Sequence, residues 1–182
     1  MDSEEVRELL LTKLAQGLYA LTPELGAALA QAGAICFEDQ NHPNGVELKV
    51  DGTFAAKYRV YWQEVTDQMR RCWNDLVYAT EHAACGVALL LVCDLTEYTV
   101  ILPSRRGTGF DYWLGEKGDE EELPLQKKAR LEVSGIRRGN YSVVKARVKQ
   151  KLKQVERSDS FLYPAYIVVV EFGAPLSQVV KK

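Results

Sequence analysis

The chain predicts an α/β fold, a mixed sheet flanked by helices, and three observations carry that prediction. Short runs of alternating apolar and polar residues lie between Gly, Pro and Asn turns, the period-2 signature of half-buried strands. A long stretch from Thr66 repeats apolar residues at helical spacing. The nearly continuous apolar run at 165–172, Ala-Tyr-Ile-Val-Val-Val-Glu-Phe, reads as a central strand covered on both faces.

Taken in order, Ser3 is a helix cap with Glu4 and Glu5 at the positive end, so 3–32 is predicted helical, with Thr22-Pro23 dividing it into two helices. Strands are predicted at 34–38, 46–50 and 56–62. Turns at His42-Pro-Asn-Gly45 and Asp51-Gly52 make these an antiparallel β-meander. Thr66 caps the next helix, predicted to reach Cys93 with Trp73, Leu76, Val77, Thr80, Ala84, Val87 and Leu91 on its apolar face. At about 100° per residue, Val77, Glu81, Ala84 and Ala88 fall on one side, so Glu81 is expected to face the core. A strand at 97–102, the turn Arg105-Arg-Gly-Thr-Gly109 and a strand containing Asp111 form a hairpin. The strongly acidic loop 116–123 leads to a third strand at 129–134, closed by Gly135. A helix over 140–155 turns Val144, Val148, Leu152 and Val155 inward and precedes the last strand.

Length suits one domain over 1–182, with residues 1–65 as an extension and 66–182 as the core. A hydrophobic fraction of 47% and a charged fraction of 26% exclude a disordered or low-complexity chain. The acidic start lacks the basic region of a secretory signal, and the apolar run 83–93, flanked by Glu81 and Asp94, is short for a membrane span. Cys36, Cys72, Cys85 and Cys93 have no CxxC spacing and read as reduced core thiols of a cytoplasmic protein. His82 and Cys85 lie one helical turn apart, a spacing that supplies two zinc ligands, with no further pair in view.

Three acids stand out. Asp111 in Gly109-Phe-Asp-Tyr-Trp and Glu132 in Arg130-Leu-Glu-Val-Ser are flanked by apolar residues on neighbouring strands, and Glu81 interrupts an apolar helix face. A buried carboxylate is costly unless a cation compensates it. Three of them suggest a site for Mg²⁺ or Mn²⁺, hard cations that take carboxylate oxygens and keep several waters against phosphate. Arg pairs, with Arg105 or Arg130 as partner, are the alternative use of Asp111 and Glu132. Net charge is −2, which lacks the global basicity of many nucleic-acid binders. Residues 137–157 nevertheless hold Arg137, Arg138, Lys145, Arg147, Lys149, Lys151, Lys153 and Arg157 against Glu156 alone.

The order helix with Glu, strand, strand with Asp, strand with Glu, basic helix, strand resembles the α-β-β-β-α-β core of the PD-(D/E)XK nuclease-like superfamily, the restriction-endonuclease fold, over residues 66–172. The resemblance implies a divalent-metal-dependent nuclease on DNA or, second, RNA, with Glu81, Asp111 and Glu132 as metal ligands. The family's E-x-K lysine is replaced here by Ser134. In the superfamily that lysine sometimes moves to the following helix, where Arg147, Lys151 and Gln154 recur at i, i+4, i+7. The resemblance makes Lys151 the catalytic substitute and Arg147, Lys151 and Gln154 the phosphate-binding set. The Gly107-Thr-Gly-Phe-Asp-Tyr-Trp-Leu and Ala129-Arg-Leu-Glu-Val-Ser-Gly-Ile patterns also resemble uncharacterised bacterial proteins. The alternative expectation is a non-catalytic binding or assembly subunit that keeps the fold without the lysine. A homodimer or protein partner is compatible with either, and no membrane partner is expected.

Overall fold

The computed structural model describes residues 5–118 and 126–182. Ser3 and Glu4 of the expected first helix and residues 119–123 of the expected acidic loop lie outside the described residues. An α/β fold is built on one mixed eight-stranded sheet. In chain order its elements are β1 (Val6–Leu10), a 3-10 turn (Leu11–Gln16), α1 (Pro23–Asp39), β2 (Val46–Gly52), β3 (Ala56–Tyr61), α2 (Asp67–Cys72) and α3 (Leu76–Leu95). Then follow β4 (Tyr98–Pro103), β5 (Tyr112–Glu116), β6 (Ala129–Ile136), α4 (Tyr141–Val155), a second 3-10 turn (Glu156–Phe161), β7 (Ala165–Glu171) and β8 (Leu176–Lys181).

The strand order is β1-β3-β2-β8-β7-β6-β5-β4. Pairs β1/β3, β2/β8 and β6/β7 are parallel and the rest antiparallel. The N-terminal strands thus extend the sheet through β8, a strand not anticipated from the sequence.

Alternation along β7 shows how the sheet divides its two cores. Tyr166, Val168 and Val170 join Leu29, Phe37, Val87 and Leu91 on the face covered by α1 and α3. Ile167 and Val169 join Val144, Val148 and Val155 on the face covered by α4. All seven β7 residues are buried, as a strand covered on both faces requires. Each fully buried Val, Ile or Phe contributes about 1.5–3 kcal/mol relative to exposure.

Four expectations are corrected. Residues 6–10 form a strand instead of a helix, because parallel pairing with β3 supplies backbone partners that local spacing does not reveal. Residues 34–38 are not a strand but the last turns of α1. Ala34, Ile35, Cys36 and Phe37 are all buried there, so no polar face marks the helical period. The expected break at Thr22-Pro23 is present, as the start of α1, where Thr22 Oγ1 accepts from Leu25 N at 3.3 Å. The helix expected over 66–93 is two helices, since Asp75 Oδ1 accepts from Val77 N and Tyr78 N and starts α3 afresh.

The fourth correction concerns Glu81, which is exposed instead of core-facing. Helix α3 rests on β6 at Gly135, where a Cβ would lie 2.6 Å from Thr80 O and 3.0 Å from Ala84 Cβ. That close approach centres the buried stripe on Thr80, Ala84 and Val87, leaving Val77, 72% exposed, and Glu81 beside it. Among the described residues, α3 alone is long and apolar enough to cross a membrane, and 56% of that stretch is buried in the fold.

Candidate metal and phosphate site

Strand β6 sends alternate side chains to opposite faces. Leu131 and Val133 pack on the α3 side, while Arg130, Glu132, Ser134 and Ile136 turn toward α4. Helix α4 is capped by Asn140, whose Oδ1 accepts from Val143 N at 3.0 Å. Its buried Val144, Val148 and Val155 fix the helix rotation, which lays Arg147, Lys151 and Gln154 against β6. Arg147 Nη1 donates to Ser134 Oγ at 2.7 Å, and Lys151 Nζ donates to Glu132 Oε1 at 2.5 Å. Gln154 Nε2 donates to the same Oε1 at 2.9 Å and to Gly109 O at 3.3 Å, while its own Oε1 accepts from Lys151 at 3.2 Å.

Asp111 sits where β5 separates from β6. Its backbone N donates to Leu131 O at 2.8 Å, and its Oδ2 accepts from Val133 N at 2.8 Å. The carboxylate thus takes the place of a backbone carbonyl and is aimed at Glu132's strand. Glu132 is only 1% exposed, and its Oε2 is buried without a hydrogen-bond partner among the described residues. Burial, then the Asp111 charge beside it, raises the Glu132 pKa above the usual carboxylate range, with Lys151 opposing. Burial also raises the Asp111 pKa, against the Val133 N–H and Lys151, which lower it.

A cleft of about 610 Å³ opens at Asp111 and Lys151, with Glu132 buried behind its wall. Asp111, Ser134, Arg147 and Lys151 line one side, and Glu81, His82 and Cys85 of α3 line another. Glu81 therefore shares the cleft with Asp111 without joining the carboxylate pair. Among the described residues no three His, Cys, Asp or Glu side chains converge as one ligand group. Two carboxylates, one oxygen of which is buried and unpartnered, fit a hard divalent cation that completes its shell with water and phosphate oxygens.

The Arg-pair alternative for these acids does not hold. Arg130 is buried, and its guanidinium donates to Tyr163 O, Val155 O, Ser158 Oγ and Asp159 Oδ1, away from both. His82 Nδ1 is engaged by Tyr78 O at 2.9 Å and Cys85 Sγ by the Tyr112 hydroxyl at 3.1 Å, and all four cysteines are free. Sequence reasoning missed the Ser134 contact to Arg147 and the buried anchoring by Arg130. Their signal was strand alternation, which places 130, 132 and 134 on one face. Comparison with protein-family models, curated proteins and solved structures finds no match.

Proposed function

We propose that the protein is a Mg²⁺- or Mn²⁺-dependent nuclease that hydrolyses phosphodiester bonds of DNA or, second, RNA, on a restriction-endonuclease-like core. The observation that carries this reading is Glu132, buried between Asp111 and Lys151 with Oε2 unpartnered. The order α3-β4-β5-β6-α4-β7, with Glu132 on β6 and Asp111 at the residue before β5, supports the same fold assignment.

Asp111 and Glu132 would hold the cation, with Glu81 reaching it across the cleft through water. When bound, the cation polarises a phosphoryl oxygen and acidifies an attacking water. Lys151 stands where the E-x-K lysine is missing, and its ammonium orients water and offsets negative charge building on the phosphoryl oxygens. Gln154 holds Lys151 and Glu132 in register, and Arg147, half-buried at the cleft wall, binds a phosphate oxygen. Four free thiols accord with a cytoplasmic setting.

The second reading is a non-catalytic binding or assembly subunit. Lys151 favours it in one respect, because its ammonium already compensates Glu132 without any metal. Thermal unfolding of wild type and Asp111→Asn/Glu132→Gln, with and without Mn²⁺, separates the two, run beside cleavage assays on plasmid, single-stranded DNA and RNA. The nuclease predicts a Mn²⁺-dependent rise in Tm in wild type alone, together with cleavage, since the ion binds only the native site. No rise, with the double variant at least as stable as wild type, would establish the assembly-subunit reading. Should Lys151→Ala cleave at the wild-type rate, Lys151 has no catalytic part.

A further inference from the structure

The turn joining β4 to β5 is fixed at its base and charged at its tip. Ser104 N donates to Asp111 O at 2.7 Å, the Ser104 and Thr108 hydroxyls meet at 2.9 Å, and Thr108 Oγ1 donates to Arg105 O at 2.9 Å. Beyond this base Arg105 and Arg106 are exposed and make no ion pair among the described residues. A Cβ at Gly107 would meet nothing within 4 Å, so the tip stands in open space.

Gly109 seats the turn on the end of α4. Its φ is +87°, and a Cβ there would lie 2.5 Å from Gln154 O and 3.5 Å from Arg157 Cβ. Only glycine meets both demands. Arg157 is likewise exposed and without an ion pair among the described residues. Three arginines without an ion pair among the described residues therefore lie on the turn and on the segment after α4 that Gly109 brings together, in a chain whose net charge is −2. The amide of Gln154 touches Gly109 O and Glu132 Oε1, so one side chain sets the distance from this turn to the acidic pair.

We infer that Arg105, Arg106 and Arg157 form a clamp for the sugar-phosphate backbone of a nucleic-acid strand, gripping phosphates that flank the one lying in the cleft. This rests on the nuclease reading for what the cleft holds. Guanidinium forks match phosphate oxygens bidentately, and they carry no sequence information of their own. A turn already immobilised at Ser104, Thr108 and Gly109 loses little freedom when it binds.

The test is anisotropy titration of a labelled DNA duplex in Ca²⁺ at several salt concentrations, with wild type, Arg105→Ala/Arg106→Ala and Arg105→Lys/Arg106→Lys. The Ala pair is expected to weaken binding whatever the DNA sequence and to lower the log–log salt slope by about 2, one per phosphate contact. The Lys pair keeps the wild-type slope, and the Mn²⁺-induced rise in Tm persists in both variants. An unchanged slope in the Ala pair, with a Mn²⁺ rise and cleavage by wild type, overturns the clamp and leaves the nuclease standing. A reduced slope with no cleavage by wild type overturns the nuclease and leaves a backbone-binding surface. Heparin displacing the duplex equally from wild type and the Ala pair also overturns the clamp.

Discussion

Glu132 and Lys151 respond to pH in a direction that their surroundings dictate. Burial and the Asp111 charge hold the Glu132 proton above its unfolded value of about 4.3. Because the folded pKa is the higher one, the stability contributed by the protonated form is complete below that unfolded value. It is lost as pH climbs through the raised folded value. Metal-free protein is therefore expected to lose unfolding free energy between pH 5 and 8 in urea titrations, and Glu132→Gln to flatten the loss. Equal pH slopes in the two proteins would remove Glu132 from this role. Lys151→Ala strips the buried carboxylate of its ammonium, a change worth about 3–5 kcal/mol for fully buried pairs. Lys151 retains 19% exposure, so a loss of about 2–4 kcal/mol is expected at pH 8. At pH 5 the loss shrinks, because Glu132 then takes up a proton.

At the scale of elements, α4 is held by two different devices. Its valines were visible as a helical stripe in the sequence, and so were Arg147, Lys151 and Gln154 beside it. Its C-terminal end depends on Arg130, which reaches from β6 to Val155 O, Ser158 Oγ and Tyr163 O and so ties the 3-10 turn to the sheet. Hydrogen bonds from a charged donor contribute about 1.5–3 kcal/mol each. Arg130→Ala is expected to remove at least about 3 kcal/mol and to open 156–164 to limited proteolysis. A wild-type digestion pattern would show the turn to be held by other contacts. An arginine between Ala129 and Leu131 in a strand gave no hint of this, because its partners lie 25 to 33 residues away.

For the whole molecule, β2 pairs with β8 and so joins the N-terminal strands to the C-terminal end of the chain. Unfolding followed by tryptophan fluorescence, with Trp62 and Trp73 packed against α1 and Trp113 on β5, is expected to coincide with loss of far-UV circular dichroism. Separated transitions would mean that the two ends of the sheet melt independently. By themselves, residues 46–50, 56–62 and 165–172 announced strands, and Asn140 with the valines at 144, 148 and 155 announced a helix, because period and capping are local properties of a chain. Asp111 and Glu132 were also legible, as charges placed against apolar neighbours, whereas Lys151 was reached through the superfamily resemblance and its place beside the valine stripe. Tertiary structure alone decided that 6–10 is a strand and 34–38 a helix, since one depends on a partner strand and the other is buried on every side. It likewise decided that Glu81 faces the cleft and that Glu132 meets Lys151. Both depend on how a helix rotates when it packs, and contacts far along the chain, such as Gly135 on Thr80 and Ala84, set that rotation.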